Sequence, residues 1–276
     1  MSEGTPSATS SRTSRATSRV WDAAVDLTNR VGDKTLKLVD RAIARQSAIP
    51  TTPFLDPAAF PWTGRLEANW RVIRQELDAV LARIDALPNF QDISTDQYNL
   101  TDDDQWKTFF LYGYGFRSDA NCARCPQTDR LVRSIPGMQT AMFSIFAPHK
   151  RIPPHDGPYK GVVRYHLGLR VPADPSLAGI RVGPETGHWA EGASLVFDDT
   201  YEHEAWNESD EYRVVLFVDF VRPLRQPMKT VNAAMIKAIG YSPFIQDAKR
   251  RHQEWEQRFE REARASGEPE ASAGPD

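Results

Sequence analysis

The sequence predicts a mainly β fold with flanking helices, built around a sandwich or barrel. After Met138 the chain consists of short strand-like runs separated by turn residues, a spacing typical of β-sandwiches and barrels. Helical periodicity dominates earlier in the chain and again after residue 226. The predicted strands of the β region cover residues 140–147, 161–171, 179–183, 194–198 and 211–221.

The first 46 residues divide into two parts. Residues 1–19 contain almost no apolar side chains and predict a disordered tail. Residues 20–46 carry apolar side chains at helical spacing with basic residues on other faces, and they predict an amphipathic helix. Such a helix suits packing on its own domain, a dimer contact, or a position on a membrane surface.

The segment 47–64 contains four prolines and predicts a linker or an extended strap. We predict one folded domain over residues 65–225, with a helical start and a β core at about 138–224. The start contains a helix over 66–87 that ends before Pro88, where proline cannot continue the hydrogen-bond ladder. An aromatic strand over 106–115 and a short helix over 129–135 follow.

The C-terminal part of the chain predicts a helical extension over residues 226–265. Its last helix, 244–265, is highly charged, and Trp255 and Phe259 lie four residues apart on one face. Residues 266–276 are small, polar and acidic, and they predict a second disordered tail.

Composition excludes several classes of protein. The net charge of -3 over 276 residues gives no reason to expect nucleic-acid binding. The chain has no apolar run of membrane-spanning length and no apolar core of a signal peptide. We therefore expect a cytoplasmic protein without a membrane span, with peripheral contact to the inner face of the membrane as an option.

Two histidines stand out as candidate metal ligands. His155 lies in the run P-P-H-D-G-P-Y, and His203 follows an apolar strand and the acidic turn F-D-D-T-Y-E. Two imidazoles on separate strand-like segments suit ferrous iron, because non-haem iron oxygenases use two histidines and leave coordination positions open for substrate and oxygen.

Basic side chains occur inside predicted strands near these histidines. Arg164 and His166 alternate in R-Y-H-L-G-L, so both project from the same strand face. Arg213 enters the otherwise apolar run R-V-V-L-F-V. A buried cation needs an anionic partner, and a guanidinium pairs bidentately with a carboxylate such as that of 2-oxoglutarate.

Four segments together resemble the aspartyl/asparaginyl β-hydroxylase family: P-P-H-D-G-P-Y, R-Y-H-L-G-L, V-F-D-D-T-Y-E-H-E-A-W-N and R-V-V-L-F-V-D-F-V-R-P. The resemblance is strongest over residues 138–224 and includes bacterial lipid-hydroxylating relatives. It implies a double-stranded β-helix, a jelly-roll or cupin-like barrel. It also implies an iron(II)- and 2-oxoglutarate-dependent dioxygenase that hydroxylates an unactivated C–H bond.

The resemblance also implies the role of individual residues. His155 and His203 would bind the iron. Arg213 and Ser144 would hold the distal carboxylate of 2-oxoglutarate, while Arg164 and His166 would contact its other end near the metal.

One position departs from the usual pattern of this enzyme class. Many oxygenases carry an acidic ligand two residues after the first histidine, but here that residue is Gly157. Asp156 is one residue out of register, so its side chain would point away from His155 on an extended backbone. We therefore predict a two-histidine centre, with Asp156 as a ligand only if the loop bends.

Several alternatives remain at the level of sequence. The substrate is a small molecule, a peptide or a lipid, so hydroxylation of a lipid acyl chain is the second enzymatic hypothesis. A non-catalytic barrel that binds a dicarboxylate or a metal is the third.

Cys122 and Cys125 form a C-x-x-C pair that is more typical of structural thiols than of half a zinc site. His188 and Trp189 predict a hairpin that covers the site.

Overall fold

The computed structural model describes residues 37–265. The predicted tails 1–19 and 266–276, and the part of the predicted helix before residue 37, lie outside the described residues. The strands are β1 (Phe54–Leu55), β2 (Trp106–Gly113), β3 (Phe116–Arg117), β4 (Met138–Phe146), β5 (Arg151–His155), β6 (Val162–Arg170), β7 (Ala178–Val182), β8 (Glu185–His188), β9 (Ser194–Phe197), β10 (His203–Asn207) and β11 (Arg213–Val221).

The strands form two antiparallel sheets. The larger sheet has the order β1-β9-β6-β11-β4-β2-β3, and the smaller has the order β5-β10-β7-β8. From β4 onwards the chain passes back and forth between the sheets, and only β7 and β8 are consecutive neighbours. This alternation is the jelly-roll topology, so the predicted fold class is confirmed.

The central strand β11 explains how the larger sheet is covered on both faces. It pairs with β4 on one side and with β6 on the other. Eight of its nine residues are buried, because helices cover one face and the smaller sheet covers the other. Its alternate residues Arg213, Phe217 and Asp219 contact groups of the site, so this face looks into the space between the sheets.

The helices are α1 (37–46), α2 (Thr63–Ala68), α3 (Trp70–Leu81), α4 (Phe90–Ile93), α5 (Asp119–Arg124), α6 (Pro126–Arg133), α7 (Met228–Gly240) and α8 (Pro243–Ala265). The single helix predicted over 66–87 is in fact divided into α2 and α3 at Asn69. The side-chain amide of Asn69 donates to the Arg65 carbonyl at 2.8 Å, which offers the backbone an alternative to a continuous helix.

Segment 47–64 runs across the larger sheet as a strap. Phe54 of β1 lies opposite Phe197 of β9, and their rings are 6.2 Å apart. The sequence pattern did not predict β5 as a strand, because Pro153 and Pro154 lack the N–H groups that a ladder uses. Its position at the edge of the smaller sheet tolerates that loss.

Helix α8 packs its apolar face against the N-terminal helices and β2. The Trp255 indole donates to the Ala86 carbonyl at 2.9 Å, and the Arg83 guanidinium lies 4.0 Å from the centre of the Phe259 ring. This face was predicted from the four-residue spacing of the two aromatic residues. Among residues 37–265, no helix is long and apolar enough to cross a membrane.

His252 makes the packing of α8 sensitive to pH. Its ring is buried against Phe110, Phe116 and Trp255, and burial lowers its pKa to about 4. In the unfolded chain His252 binds a proton near pH 6.5, whereas in the folded protein it stays neutral until the pH approaches 4. The stability that the neutral ring contributes is therefore present above pH 6.5 and is lost as the pH falls toward 4.

We therefore expect His252→Phe to reduce the loss of stability between pH 7.5 and pH 4.5 by on the order of 2 kcal/mol. The phenylalanine ring keeps the aromatic contacts and removes the titrating group. Urea unfolding of both proteins at the two pH values measures the difference. If the wild type and the variant lose the same free energy of unfolding between the two pH values, His252 is not held neutral by burial.

Candidate active site

The two predicted histidines meet between the edge strand β5 and its neighbour β10. His203 is the register partner of His155, and their ring centres lie 4.1 Å apart. A register shift after His203 marks an irregular ladder at this point, which is common beside functional sites. His155 and His203 are 48 positions apart in the sequence, and the β5–β10 pairing brings them into contact.

Backbone carbonyls fix the tautomer of both rings. Nδ1 of His155 donates to the Pro153 carbonyl at 2.8 Å, and Nδ1 of His203 donates to the Tyr201 carbonyl at 3.0 Å. Each Nε2 therefore carries a free lone pair, the arrangement that metal-binding histidines commonly have. Burial and the neighbouring His155 lower the pKa of His203 to about 3, and burial also lowers the pKa of His155. Both rings are neutral at pH 7, as ligation requires.

Arg213 is a buried cation of the site that has no anionic partner among the described residues. Its side chain is 1% exposed, and neither Nε nor Nη1 has a hydrogen-bond partner among the described residues. The guanidinium lies 3.6 Å from the centre of the Phe146 ring and 4.3 Å from that of Trp189. Burial lowers the pKa of Arg213 to about 9, so the group keeps its charge at neutral pH. Such a group fits the carboxylate of a ligand.

Hydroxyl groups lie on the same sheet face as Arg213. Ser144 is two residues from Phe146, the register partner of Arg213, and is therefore on the same face. Its Oγ accepts from the Trp106 indole at 3.1 Å, which leaves the Ser144 O–H to donate. Thr108 is the register partner of Ser144, and its buried Oγ1 has no hydrogen-bond partner among the described residues.

His166 presents a second free donor. Its Nδ1 accepts from the Trp189 indole at 3.3 Å, so the proton resides on Nε2, which is buried and without a partner among residues 37–265. Burial and the nearby Arg213 and Arg164 lower the pKa of His166 well below its usual value. The sequence predicted that His188 and Trp189 cover the site as a hairpin. The hairpin is present as β7 and β8, which ends at His188. Trp189 is 1% exposed and forms part of the wall between His166 and Arg213.

Arg164 differs from Arg213 because the protein supplies its anions. Its Nε lies 2.9 Å from Asp219 Oδ1, and its Nη2 lies 3.0 Å from Asp199 Oδ2. The guanidinium also lies 4.4 Å from the centre of the Phe217 ring. Arg164 and His166 thus share one face, as predicted, and His166 Nε2 is a buried donor without a partner among the described residues.

The Asp199 carboxylate explains why position 157 carries a glycine. A Cβ built at Gly157 would lie 2.5 Å from the carboxyl carbon of Asp199, and the Gly157 amide donates to the Asp199 carbonyl at 2.7 Å. The carboxylate of Asp199 therefore fills the space that a side chain at position 157 would need. Burial raises the pKa of Asp199, while Arg164 opposes the shift. Oδ1 of Asp199 has no hydrogen-bond partner among the described residues.

Asp156 is exposed and lies just beyond the end of β5, outside any strand. In the described part of the chain, no set of three or more His, Cys, Asp or Glu side chains is arranged to hold a metal ion. The candidate donor set among the described residues is therefore the pair of imidazoles. It suits a divalent metal that also binds an exogenous chelating ligand.

The C-x-x-C pair lies outside this site. Cys122 and Cys125 are free, buried thiols of the α5 region, and burial raises the pKa of both. A high thiol pKa disfavours the thiolate that redox exchange and zinc binding require. Their role is packing in the main core.

Residues 67–223 match a family described as aspartyl/asparaginyl β-hydroxylase. The chain is 51% identical over 213 residues to an ornithine lipid ester-linked acyl 2-hydroxylase of Rhizobium tropici, covering 77% of this chain and 76% of that protein. The chain belongs to the aspartyl/asparaginyl β-hydroxylase family. Its matched relatives are named as hydroxylases, so the chain is an enzyme of that general type.

More distant family members are longer proteins. The human aspartyl/asparaginyl β-hydroxylase is 30% identical over 197 residues, and this chain spans 25% of its length. Among solved structures, a Cupin 2 conserved barrel domain protein from Salinispora arenicola CNS-205 covers 51% of this chain at 12% identity and a TM-score of 0.29.

Gly157→Ala tests the contact between Gly157 and Asp199. The added methyl group meets a buried carboxylate, so we expect a loss of about 1–3 kcal/mol in the free energy of unfolding. Gly64→Ala is the matched control, because a Cβ at that helical position meets no atom within 4 Å. Urea unfolding measures both variants. Equal effects of the two substitutions would argue against the close packing of Asp199.

Proposed function

We propose that the chain is an iron(II)- and 2-oxoglutarate-dependent dioxygenase that hydroxylates a C–H bond of a lipid acyl chain. The buried guanidinium of Arg213, which lacks a carboxylate partner among residues 37–265, is the observation that carries the proposal. It occupies the same inter-sheet space as two neutral histidines whose Nε2 atoms are free. A dicarboxylate that reaches from a metal to an arginine satisfies both features.

His155 and His203 would hold the iron through their Nε2 atoms. Bound ferrous iron supplies oxygen activation in this chemistry, with 2-oxoglutarate oxidised to succinate and carbon dioxide as the substrate is hydroxylated. Asp199 borders the position of the missing third ligand. Its unpaired Oδ1 provides an acceptor for a water molecule or a substrate group beside the histidines.

The remaining residues would bind and orient 2-oxoglutarate. Arg213 would pair with the distal carboxylate, and Ser144 would donate its O–H to the same group. His166 would donate from Nε2 to the end of the cosubstrate near the histidines. Trp189 would fix the orientation of His166 and exclude water from Arg213, which strengthens each of these charge-assisted bonds.

The acyl-chain substrate is supported by the similarity to the rhizobial protein, which extends over three quarters of both chains. Peptide hydroxylation is the second candidate, supported by the 30% identity to the human family member. The sequence hypothesis of a binding protein without turnover is disfavoured, because the matched family and the most similar relatives are hydroxylases.

Arg213→Met tests the cosubstrate pocket, because it should raise the stability of the ligand-free protein and lower its affinity for 2-oxoglutarate. Methionine removes an unpaired buried charge, so the free energy of unfolding without ligands rises. Loss of a charge-assisted carboxylate contact weakens 2-oxoglutarate binding about 10- to 100-fold. Calorimetry with manganese in place of iron measures this affinity without turnover.

Arg181→Met is the matched control, because Arg181 is a part-exposed arginine of β7 whose partners are the surface residues Glu202 and Glu204. We expect it to leave 2-oxoglutarate affinity unchanged. If Arg213→Met binds 2-oxoglutarate as tightly as wild type, the pocket is wrongly assigned.

The substrate class is tested by product analysis. Purified enzyme with ferrous iron, 2-oxoglutarate and oxygen is incubated with acyl lipids or with Asp- and Asn-containing peptides. We expect succinate release to rise with the lipids, together with a mass increase of one oxygen atom in the acyl chain. His203→Ala should lose both signals, because one iron ligand is removed. Oxygen incorporation into the peptides alone would favour the second candidate.

A further inference from the structure

Exposed apolar side chains gather on two helices next to the site. Among the described residues, six large apolar side chains are exposed. Three of them lie on α1, on α7 or at its C-cap: Leu38 (62%), Val231 (43%) and Tyr241 (72%). A fourth, Phe244 (37%), lies in the first turn of α8, directly after α7. Single exposed apolar residues need no explanation, but a group of this kind indicates an interaction surface.

The two helices form one structural unit. Ile43 of α1 and Ile236 of α7 are buried in the same small cluster, together with Tyr159, Val162 and Leu224. This cluster is separate from the main core. We call the exposed side of this pair the α1–α7 face, defined by Leu38, Val231, Tyr241, Phe244 and the basic residues described next.

The charge on the α1–α7 face has one sign. Helix α7 carries Lys229 and Lys237 and no acidic residue. Lys37, Arg41 and Arg45 of α1 are exposed, and none of these five cations forms an ion pair with another described residue. The acidic residue of described α1, Asp40, accepts from the Lys160 amide at 3.1 Å and is part-buried.

Helix α7 is attached to the loop that follows His155, between β5 and β6. The Asn232 side chain of α7 accepts from the Tyr159 hydroxyl at 2.5 Å and donates to the Gly161 carbonyl at 2.9 Å. Tyr159 follows His155 by four residues. At its other end, α7 approaches the turn between β2 and β3, where a Cβ at Gly240 would lie 3.2 Å from the Tyr114 carbonyl oxygen.

Tyr114 connects this end of α7 with the ion-paired group of Arg164, Asp199 and Asp219. The Tyr114 phenol interacts electrostatically with Asp219, Asp199 and Arg164, and burial raises its pKa. Asp199 in turn contacts Gly157, two residues from His155. Both ends of α7 therefore contact segments that border the predicted iron site.

We propose that the α1–α7 face docks on a lipid bilayer that contains anionic lipids. Apolar and aromatic side chains next to unpaired lysines and arginines are the composition of interfacial helices. An anionic membrane surface attracts each basic residue, whereas a second copy of this face would repel it. Docking places the membrane beside the loop of His155, and this role rests on the proposed acyl-lipid substrate.

The test is flotation of the full chain with vesicles of phosphatidylcholine, with and without phosphatidylglycerol. We expect binding to the anionic vesicles only, and its loss in high salt because the surface charge is screened. Lys229→Gln with Lys237→Gln should weaken binding about 25-fold, since each basic residue contributes about fivefold. Replacement of the exposed Arg65 and Arg133 by Gln is the matched control and should have little effect.

Val231→Asp tests the apolar part of the face. We expect at least a tenfold weaker partition, because a carboxylate would enter the headgroup region. Val72→Asp is the matched control, since Val72 is 39% exposed on α3, away from the α1–α7 face. The proposal is overturned if wild type does not float with the anionic vesicles. It is also overturned if Val231→Asp and Val72→Asp weaken vesicle binding equally. Sedimentation that shows a dimer broken by Val231→Asp, with vesicle binding unchanged, overturns it as well.

The docking proposal and the proposed function fail in different ways. Turnover of detergent-dispersed lipid does not require a bilayer, so Val231→Asp should keep succinate release there while losing it with vesicles. A chain that hydroxylates dispersed lipid without binding vesicles disproves docking alone. A chain that binds vesicles without hydroxylating any lipid keeps the surface and disproves the acyl-lipid substrate.

Discussion

The site depends on the buried guanidinium of Arg213, which has no anionic partner among residues 37–265. Desolvation of the Arg213 guanidinium is costly, and the rings of Phe146 and Trp189 offset only part of that cost. The surrounding jelly roll holds the group in place because Arg213 begins the most buried strand of the larger sheet. In the proposed function a bound dicarboxylate would supply the missing interaction, and its binding energy would be directed to one position beside the two histidines.

Arg164 and Arg213 serve different purposes because their surroundings differ. Arg164 is neutralised by Asp219 and Asp199 and thereby fixes the Asp199 carboxylate against Gly157. Arg213 has no such partner within residues 37–265. The absence of a side chain at position 157 is thus a packing requirement. The acidic group of this region is Asp199, which comes from the turn between β9 and β10 and not from the segment that follows His155.

Much of the fold follows from local sequence pattern, and the failures have local causes. The strands β4, β6, β7, β9 and β11 match the predicted segments within a few residues because their apolar residues have strand-like patterns. The pattern did not reveal β5, where two prolines occupy a sheet edge, or the break at Asn69, where a side-chain amide competes with the helix. Neither Thr108 nor Trp106 carried a signal in the sequence, since a buried hydroxyl and an indole are ordinary core residues until their neighbours are known.

The sequence by itself determined the residue types of the chemistry: two imidazoles, two strand arginines, and motifs that resemble one hydroxylase family. It also determined the alternation that sends Arg164 and His166 to one face, because side-chain direction on a strand depends only on local backbone geometry. Tertiary structure alone decided that Arg164 is paired while Arg213 is not, and that Asp199 fills the space beside Gly157. These outcomes depend on which strands become neighbours, and pairing across β5–β10 and β6–β11 joins residues that are far apart in the chain.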